Sequence, residues 1–233
     1  MKILAFETSA KAGSVALLED GKLLAESYQN TGLTHSQTIM SMAESMLKSC
    51  GVAPDQVDAV AVAAGPGSFT GVRIGVAAAK GYAWGAQLPC YGVSTLEAMA
   101  QNLGVYRGYV LPVMDARRSQ VYNGLFHAEG GVLTRRCEDR AISLEELGEE
   151  IKNLSEPIFL VGDGSNLCYN TLKDAVPTLV LPPEHRCHQR AAGVALAAQR
   201  LIAAGDPGDA AALEPNYLRL SQAERERLAR EQK

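Results

Sequence analysis

The 233-residue sequence has no apolar run of about eighteen residues, no C-x-x-C pair, a single tryptophan, only four histidines and no surplus of positive charge. Each shortage excludes a class of protein. Without a long apolar run no membrane-spanning helix is expected. Met1-Lys2-Ile3-Leu4 leads directly into strand-like sequence instead of a signal-peptide core, so the chain is expected in the cytoplasm. The five cysteines, Cys50, Cys90, Cys137, Cys168 and Cys187, are odd in number and scattered, which suggests buried free thiols and neither a disulfide framework nor a thiolate zinc site. The net charge of -4 leaves no concentrated basic face for independent nucleic-acid binding, and the pairs Arg117-Arg118 and Arg135-Arg136 are too sparse to supply one. His35, His127, His185 and His188 rebuild no metal site and no Ser/His/Asp arrangement. The cluster His185-Arg186-Cys187-His188 reads as a surface loop before a helix.

What is present is an ordinary globular composition, 47% hydrophobic and 21% charged, long enough for one large domain or two modest ones. Strands are expected at Lys2 to Phe6, Ser14 to Leu18 and Leu23 to Tyr28, the last two joined by an Asp20-Gly21 hairpin turn. Thr34 and Gln37 have capping-box spacing before a helix with Ile39, Ala43, Met46, Leu47 and Cys50 on one face, ended by Gly51. A fully apolar strand from Val57 to Ala63, a glycine turn, a helix from 68 to 85, a short strand near Pro89 and a helix opened by Ser94 or Thr95 follow. From Tyr109 the pattern starts again. Strands are expected at Val110 to Met114, at Gln120 to Phe126 and from Val132. A capping box at Ser143 and Glu146, a strand at Pro157 to Val161, and helices near Ser165 and from Ala191 to Ala204 complete it. Both halves begin with a strand delivering an acid at its end, Glu7 in one and Asp115 in the other. The pattern predicts an α/β chain of two domains, 1–106 and 107–220, each with a mixed sheet flanked by helices, and a charged tail over 221–233.

Four stretches carry the chemistry. Gly65-Pro66-Gly67-Ser68, between a strand and a helix, has the context of a phosphate cradle, but it lacks the P-loop lysine and Pro66 removes one backbone donor, so a structural turn is the competing reading. Glu7, Thr8 and Ser9 offer hard oxygens suited to magnesium and phosphate, or hydroxyls that satisfy a turn. The first helix carries His35, Thr38, Met42 and Met46 on a second face, which suits an adaptable contact surface or simple core packing. In the helix 68 to 85, Gly71, Gly75 and Ala79 recur every fourth residue beside Arg73. Such a ridge of small residues admits another backbone, either from a partner or from its own domain.

Ile3-Leu4-Ala5-Phe6-Glu7-Thr8-Ser9, His35-Ser36, Gly65-Pro66-Gly67-Ser68-Phe69-Thr70-Gly71-Val72-Arg73 and Asp115-Ala116-Arg117 resemble the bacterial TsaB family, also called YeaZ. Glu214-Pro215-Asn216-Tyr217-Leu218-Arg219 resembles that family's closing segment. The resemblance implies a duplicated actin-like (ribonuclease H-like) fold of the superfamily that unites sugar kinases, actin and heat-shock ATPases. It also implies an accessory role in making threonylcarbamoyl-adenosine beside the tRNA anticodon, with the catalytic paralogue TsaD and the ATPase TsaE as partners. The paralogue carries two metal-binding histidines four residues apart at a helix start, where this sequence has Thr95 and Met99. Its acidic turn is here Ala10-Lys11-Ala12.

The resemblance thus implies a noncatalytic scaffold and activator with no metal and no cofactor of its own, a possible nucleotide being shared at the partner interface, and tRNA met only indirectly. The partner surface is expected at His35, Thr38, Met42, Met46, Gly71, Arg73, Gly75 and Ala79, and the weak nucleotide contacts at Glu7, Thr8 and Ser9. Two other readings compete. One is an autonomous enzyme, either a metalloprotease, as the older glycoprotease grouping implies, or an ATPase. The other is a self-associating module whose homodimer uses the same helical face.

Overall fold

The computed structural model describes residues 1–219; the tail expected over 221–233 lies outside the described residues. Three antiparallel strands open the chain, β1 (Lys2–Glu7), β2 (Gly13–Glu19) and β3 (Lys22–Gln29). Asp20 and Gly21 turn the β2–β3 hairpin with φ of 48° and 82°, the left-handed pair that such a turn demands. There follow α1 (His35–Ser49), β4 (Ala59–Gly65), α2 (Phe69–Ala86), β5 (Cys90–Ser94) and α3 (Thr95–Gln101). The first sheet has the order β3-β2-β1-β4-β5, with β4 and β5 parallel to β1.

The second half repeats this plan with β6 (Gly108–Arg117), β7 (Gln120–Glu129), β8 (Val132–Ser143), α4 (Leu144–Ile151), β9 (Ile158–Val161), α5 (Ser165–Leu172), β10 (Leu179–Val180) and α6 (Ala191–Ala203). Its sheet order, β8-β7-β6-β9-β10, is the first order over again. The two-residue β10 is too short to show any sequence period, and sequence reading misses it. Ser143 and Glu146 form the expected reciprocal cap of α4, with Ser143 Oγ accepting from Glu146 N at 3.1 Å. Thr34 does not cap α1 through its side chain. Only its carbonyl is used, accepting from Gln37 N at 2.9 Å.

The packing of the layers crosses the sequence boundary. One face of the first sheet is covered by α1 and α2, where Ile39, Met42, Met46, Leu47, Val72 and Val76 bury against Leu4, Phe6, Val15 and Val62. Its other face is covered by α6, whose Ala191, Val194, Ala195 and Ala198 meet Ile3, Ala5, Ala16 and Ala61. The second sheet buries Leu111, Val113, Val121 and Ile158 beneath α4 and α5. Its remaining face takes α3, with Leu96, Met99, Val110, Met114 and Phe126 in one cluster. Each half therefore lends a helix to the other. The cut at 106/107 separates the two sheets, while α3 and α6 belong by packing to the opposite halves. Gly193 makes the exchange possible, because a β-carbon there would run into the backbone of Ala98 where α6 crosses α3.

The small-residue ridge of α2 points inward. A β-carbon at Gly71 would overlap the carbonyl oxygen of Thr8, and one at Gly75 the Thr8 hydroxyl, while Ala79 is fully buried. Met42 and Met46 are likewise core side chains of their own half. These five expected partner residues thus serve the first domain's interior. The reason is that β1 ends in a tight turn that needs a backbone to rest on. By contrast Gly81, on the opposite side of α2, has open space around it.

This asymmetry predicts opposite outcomes for two glycine substitutions. Gly71→Ala should lower the stability of the chain by about 2 kcal/mol or more, since the helix must move away from β1. Gly81→Ala should raise it by roughly 0.5–1 kcal/mol through the entropy of the unfolded chain. Chemical denaturation of the two variants checks both signs.

Candidate functional site

The repeated acids end up differently placed: Asp115 lines a cleft, whereas Glu7 is fully buried and does not. Glu7 closes β1, Asp115 lies near the end of β6, and a cleft of about 590 Å³ opens between the halves. One wall is the turn after β1, Ser9 to Lys11, with Pro66 to Thr70 at the start of α2. The other is Met114 to Arg117 with Asp163, and the partly exposed segment Asn216 to Arg219 runs along the mouth.

The turn after β1 is built from backbone contacts. Thr8 and Ser9 are fully buried. Thr8 Oγ1 donates to Gly71 O at 2.8 Å, Ser9 N donates to Glu7 Oε1 at 2.6 Å, and Ser68 N donates to Ser9 O at 2.6 Å. Ser68 Oγ accepts from Gly71 N at 3.3 Å as the cap of α2. Two of the three candidate hydroxyl and carboxyl groups are therefore engaged within the turn. Ser9 Oγ, on a residue that lines the cleft, and the second oxygen of Glu7 have no hydrogen-bond partner among the described residues.

On the opposite wall, Arg117, Arg118 and Ser119 all have left-handed backbone, with φ of 63°, 56° and 56°. Three such non-glycine residues in succession are costly, at about 1 kcal/mol or more each, and are held by Asp115 Oδ1 accepting from Arg117 N at 2.7 Å. The cleft mixes charges: the cations Lys11, Arg117 and Arg219 line it together with the acids Asp115 and Asp163, whose side chains reach solvent. Burial pushes the Glu7 carboxyl up to about 7, against the pull of the hydrogen bond that Ser9 N donates to it, and the negative charge of Asp163 adds to the rise. Asp163 is also raised, by burial first and by Asp115, while the amide of Gln189, which donates to it at 2.8 Å, pulls the other way.

The remaining expected residues scatter. His35 packs its ring against Gly13 and sets Nε2 at 2.7 Å from Ala10 O, so it braces the turn after β1, and Thr38 lies half-buried beside it in a small recess. Arg73 is exposed on α2, its guanidinium 3.9 Å above the Phe69 ring and its Nε donating to Tyr217 Oη at 2.7 Å. Thr95 and Met99 are both fully buried. Met99 sits among Leu96, Leu103, Val110 and Phe126, and its sulfur lies against Gly162. Among the described residues no three His, Cys, Asp or Glu side chains are grouped to hold a metal, and no helix is long and apolar enough to cross a membrane. Burial raises the thiols of Cys90 to about 11 and Cys168 to about 12, which leaves them unreactive.

Sequence reasoning missed Asp163, Gln189 and the mouth residues Tyr217 and Arg219. A signal existed for the first: Gly162-Asp163-Gly164 joins a strand to a helix as Gly65-Pro66-Gly67 does in the first half. Gln189 comes from a loop far away in sequence and carries no local pattern.

The carboxyl of Glu7 has a consequence for stability. An acid at about 7 in the folded chain and 4.5 when unfolded keeps its proton only in the fold between those values, so its contribution is present at low pH and is lost as pH rises from 4.5 through 7. Glu7→Gln should remove this slope and stabilise the chain above pH 7 relative to the parent, with an upper size of about 3 kcal/mol. Unfolding free energies measured from pH 4.5 to 8 test it.

The sequence and the fold have counterparts among known proteins. Residues 29–227 match the family model described as TsaD, tRNA N6-adenosine threonylcarbamoyltransferase. The tRNA threonylcarbamoyladenosine biosynthesis protein TsaB of Bacillus subtilis is 35% identical over 225 residues, with 96% of each chain covered. The structure of YeaZ from Pseudomonas aeruginosa matches with a TM-score of 0.75 at 29% identity, over 93% of this chain and 99% of that one. The hexokinase of Thermus thermophilus, at 12% identity and a TM-score of 0.50 over 88% of this chain and 100% of that one, shares the fold alone, which is the duplicated sugar-kinase-like fold expected. The chain belongs to the TsaB family, the tRNA threonylcarbamoyladenosine biosynthesis proteins also known as YeaZ.

Proposed function

We propose that this chain is a noncatalytic scaffold and activator in threonylcarbamoyl transfer to tRNA adenosine, working in a complex with TsaD and TsaE. The observation that carries this reading is the fate of Thr95 and Met99. At the helix start where the catalytic paralogue is expected to hold a metal between two imidazoles, this chain has a buried hydroxyl and a thioether packed into the core that joins its halves. A hydroxyl and a buried thioether are poor ligands for iron or zinc, and without a cation there is nothing in that place to polarise an acyl group.

The partner surface, in this reading, is the outer side of the helix pair α1–α2 and not the inner ridge. The exposed positions of α2 include Thr70, Arg73, Ala77, Gly81 and Trp84, which recur at three- and four-residue spacing, and Trp84 is 79% exposed. Met40, 44% exposed, stands on the outer side of α1. Small residues flanked by a tryptophan and a methionine suit close packing against the helices of a paralogue, or of a second copy when the chain is alone. His35 and Arg73 retain a place beside this face, Thr38 is half-buried next to it, and the buried five do not. No cofactor is assigned to the isolated chain; a nucleotide, like the tRNA, belongs to the assembled complex.

Reconstitution tests the reading. Purified TsaD and TsaE, supplied with tRNA and threonylcarbamoyl donor, should modify tRNA only when this chain is added, and the chain alone should give no product. Turnover by the chain alone would overturn the noncatalytic assignment. Ala77→Arg, which places a charge on the outer face of α2, should weaken pairing with TsaD by about two powers of ten while the melting temperature stays near that of the parent. Isothermal titration and thermal melts of the same variant decide it.

A further inference from the structure

The end of the described chain crosses from one half to the other. After α6 it returns along the first sheet, where three glycines clear its path. Gly208 lies on the Tyr91 ring, Gly92 faces Leu213, and Gly65 faces the Asn216 carbonyl, each without room for a β-carbon. Hydrogen bonds fasten this stretch to the first half. Cys90 N donates to Gly208 O at 2.9 Å, Lys80 Nζ to Leu213 O at 2.9 Å and Asn216 N to Ala64 O at 2.6 Å. Beyond Asn216 the anchorage changes. Tyr217 lies on the surface, stacked on Phe69 at 4.5 Å between centroids and accepting from Arg73, and Arg219 Nη1 donates to Ala116 O at 2.6 Å, on the other wall of the cleft.

We propose that residues 208–219 form a latch over the cleft, with a fixed root from Gly208 to Asn216 and a releasable tip, Tyr217 to Arg219, that sets how far the two halves open. Three features support this. The tip residues line the mouth of the cleft, so their position and its width are one variable. Among the described residues the other polar ties between the halves, such as Arg135 to Glu97, Ser94 to Asp139 and Asn102 to the His188 carbonyl, involve no residue that lines the cleft, where the further contact is the apolar packing of Ala10 on the cluster that holds Met114. Ala116 also adjoins the left-handed run at Arg117 to Ser119, so the tip pulls on the most strained segment of the rim.

The latch has a regulatory consequence. Arg73 is held by the tip yet belongs to the exposed side of α2, so a partner that claims its guanidinium there takes a contact from Tyr217. This consequence rests on the partner face assigned above, whereas the latch itself does not.

Hydrogen exchange of the full chain, measured by mass spectrometry, tests the latch without any partner. Arg219→Ala should speed exchange of the amides at 114–119 by about five-fold, the loss of one hydrogen bond, with peptides 80–92 and 208–216 unchanged. Tyr217→Ala should do the same at 66–73, and Tyr217→Phe, which keeps the stack and loses the hydroxyl, should give a smaller effect in the same place. Rim exchange equal to the parent in Arg219→Ala overturns the proposal. So does a rise spread over the root and both cores, because that would make the segment part of the general fold. If Tyr217→Ala does not fold, Arg219→Ala and Tyr217→Phe decide alone. Failure of these with intact pairing to TsaD rejects the latch and leaves the partner face standing.

Discussion

The contact on which the rest of the structure depends is backbone against backbone, where α2 rests on the turn after β1. Gly71 and Gly75 bring the helix onto Thr8 so closely that no side chain fits between, and Thr8 Oγ1 closes the gap by donating to Gly71 O. That contact fixes the end of β1, and with it Glu7, Ser9 and one wall of the cleft. It also decides which side of α2 is left outside. Had the ridge faced solvent, as a sequence pattern alone permits, the exposed face of α2 and its core face would exchange places.

A second constraint is the exchange of helices between halves. A polyalanine-like α6 lies flat on the small side chains of the first sheet, and α3 carries Leu96 and Met99 into the second. Burying side chains of this size stabilises by roughly 1.5–3 kcal/mol each, so the exchange couples the halves strongly at the back of the cleft. The same packing converts the neighbourhood of Thr95 and Met99 from a place for ligands into a place for hydrophobic atoms. Glu7, Asp115 and Asp163 stand at or near strand ends of the two halves; burial raises Glu7 and Asp163, and among the described residues no metal set is grouped with them, an environment different from a cation site.

Much of this was legible in the sequence. The strand end at Glu7, the Asp20-Gly21 turn and the α4 cap follow from local pattern, because each depends on residues close together in the chain, whereas β6 runs two residues past Asp115 to Arg117. The direction of the α2 ridge was not legible, since Gly71 and Gly75 permit a close approach without saying to what. Periodicity likewise placed Met42 and Met46 on a helix face, while the width of the buried stripe depends on how α2 lies beside α1. The destinations of α3 and α6 were hidden for the same reason, as an apolar helix face does not name its sheet. Tyr217 and Arg219 became readable only once the chain's return path was known.

The most direct measurement is protection mapping of the assembled pair. With TsaD bound, hydrogen exchange of this chain should slow in the peptides covering 36–49 and 70–85, the outer sides of α1 and α2, and stay unchanged over α4 and α5. Protection confined to α4 and α5, or none in α1 and α2, would contradict a scaffold that works through that helix pair.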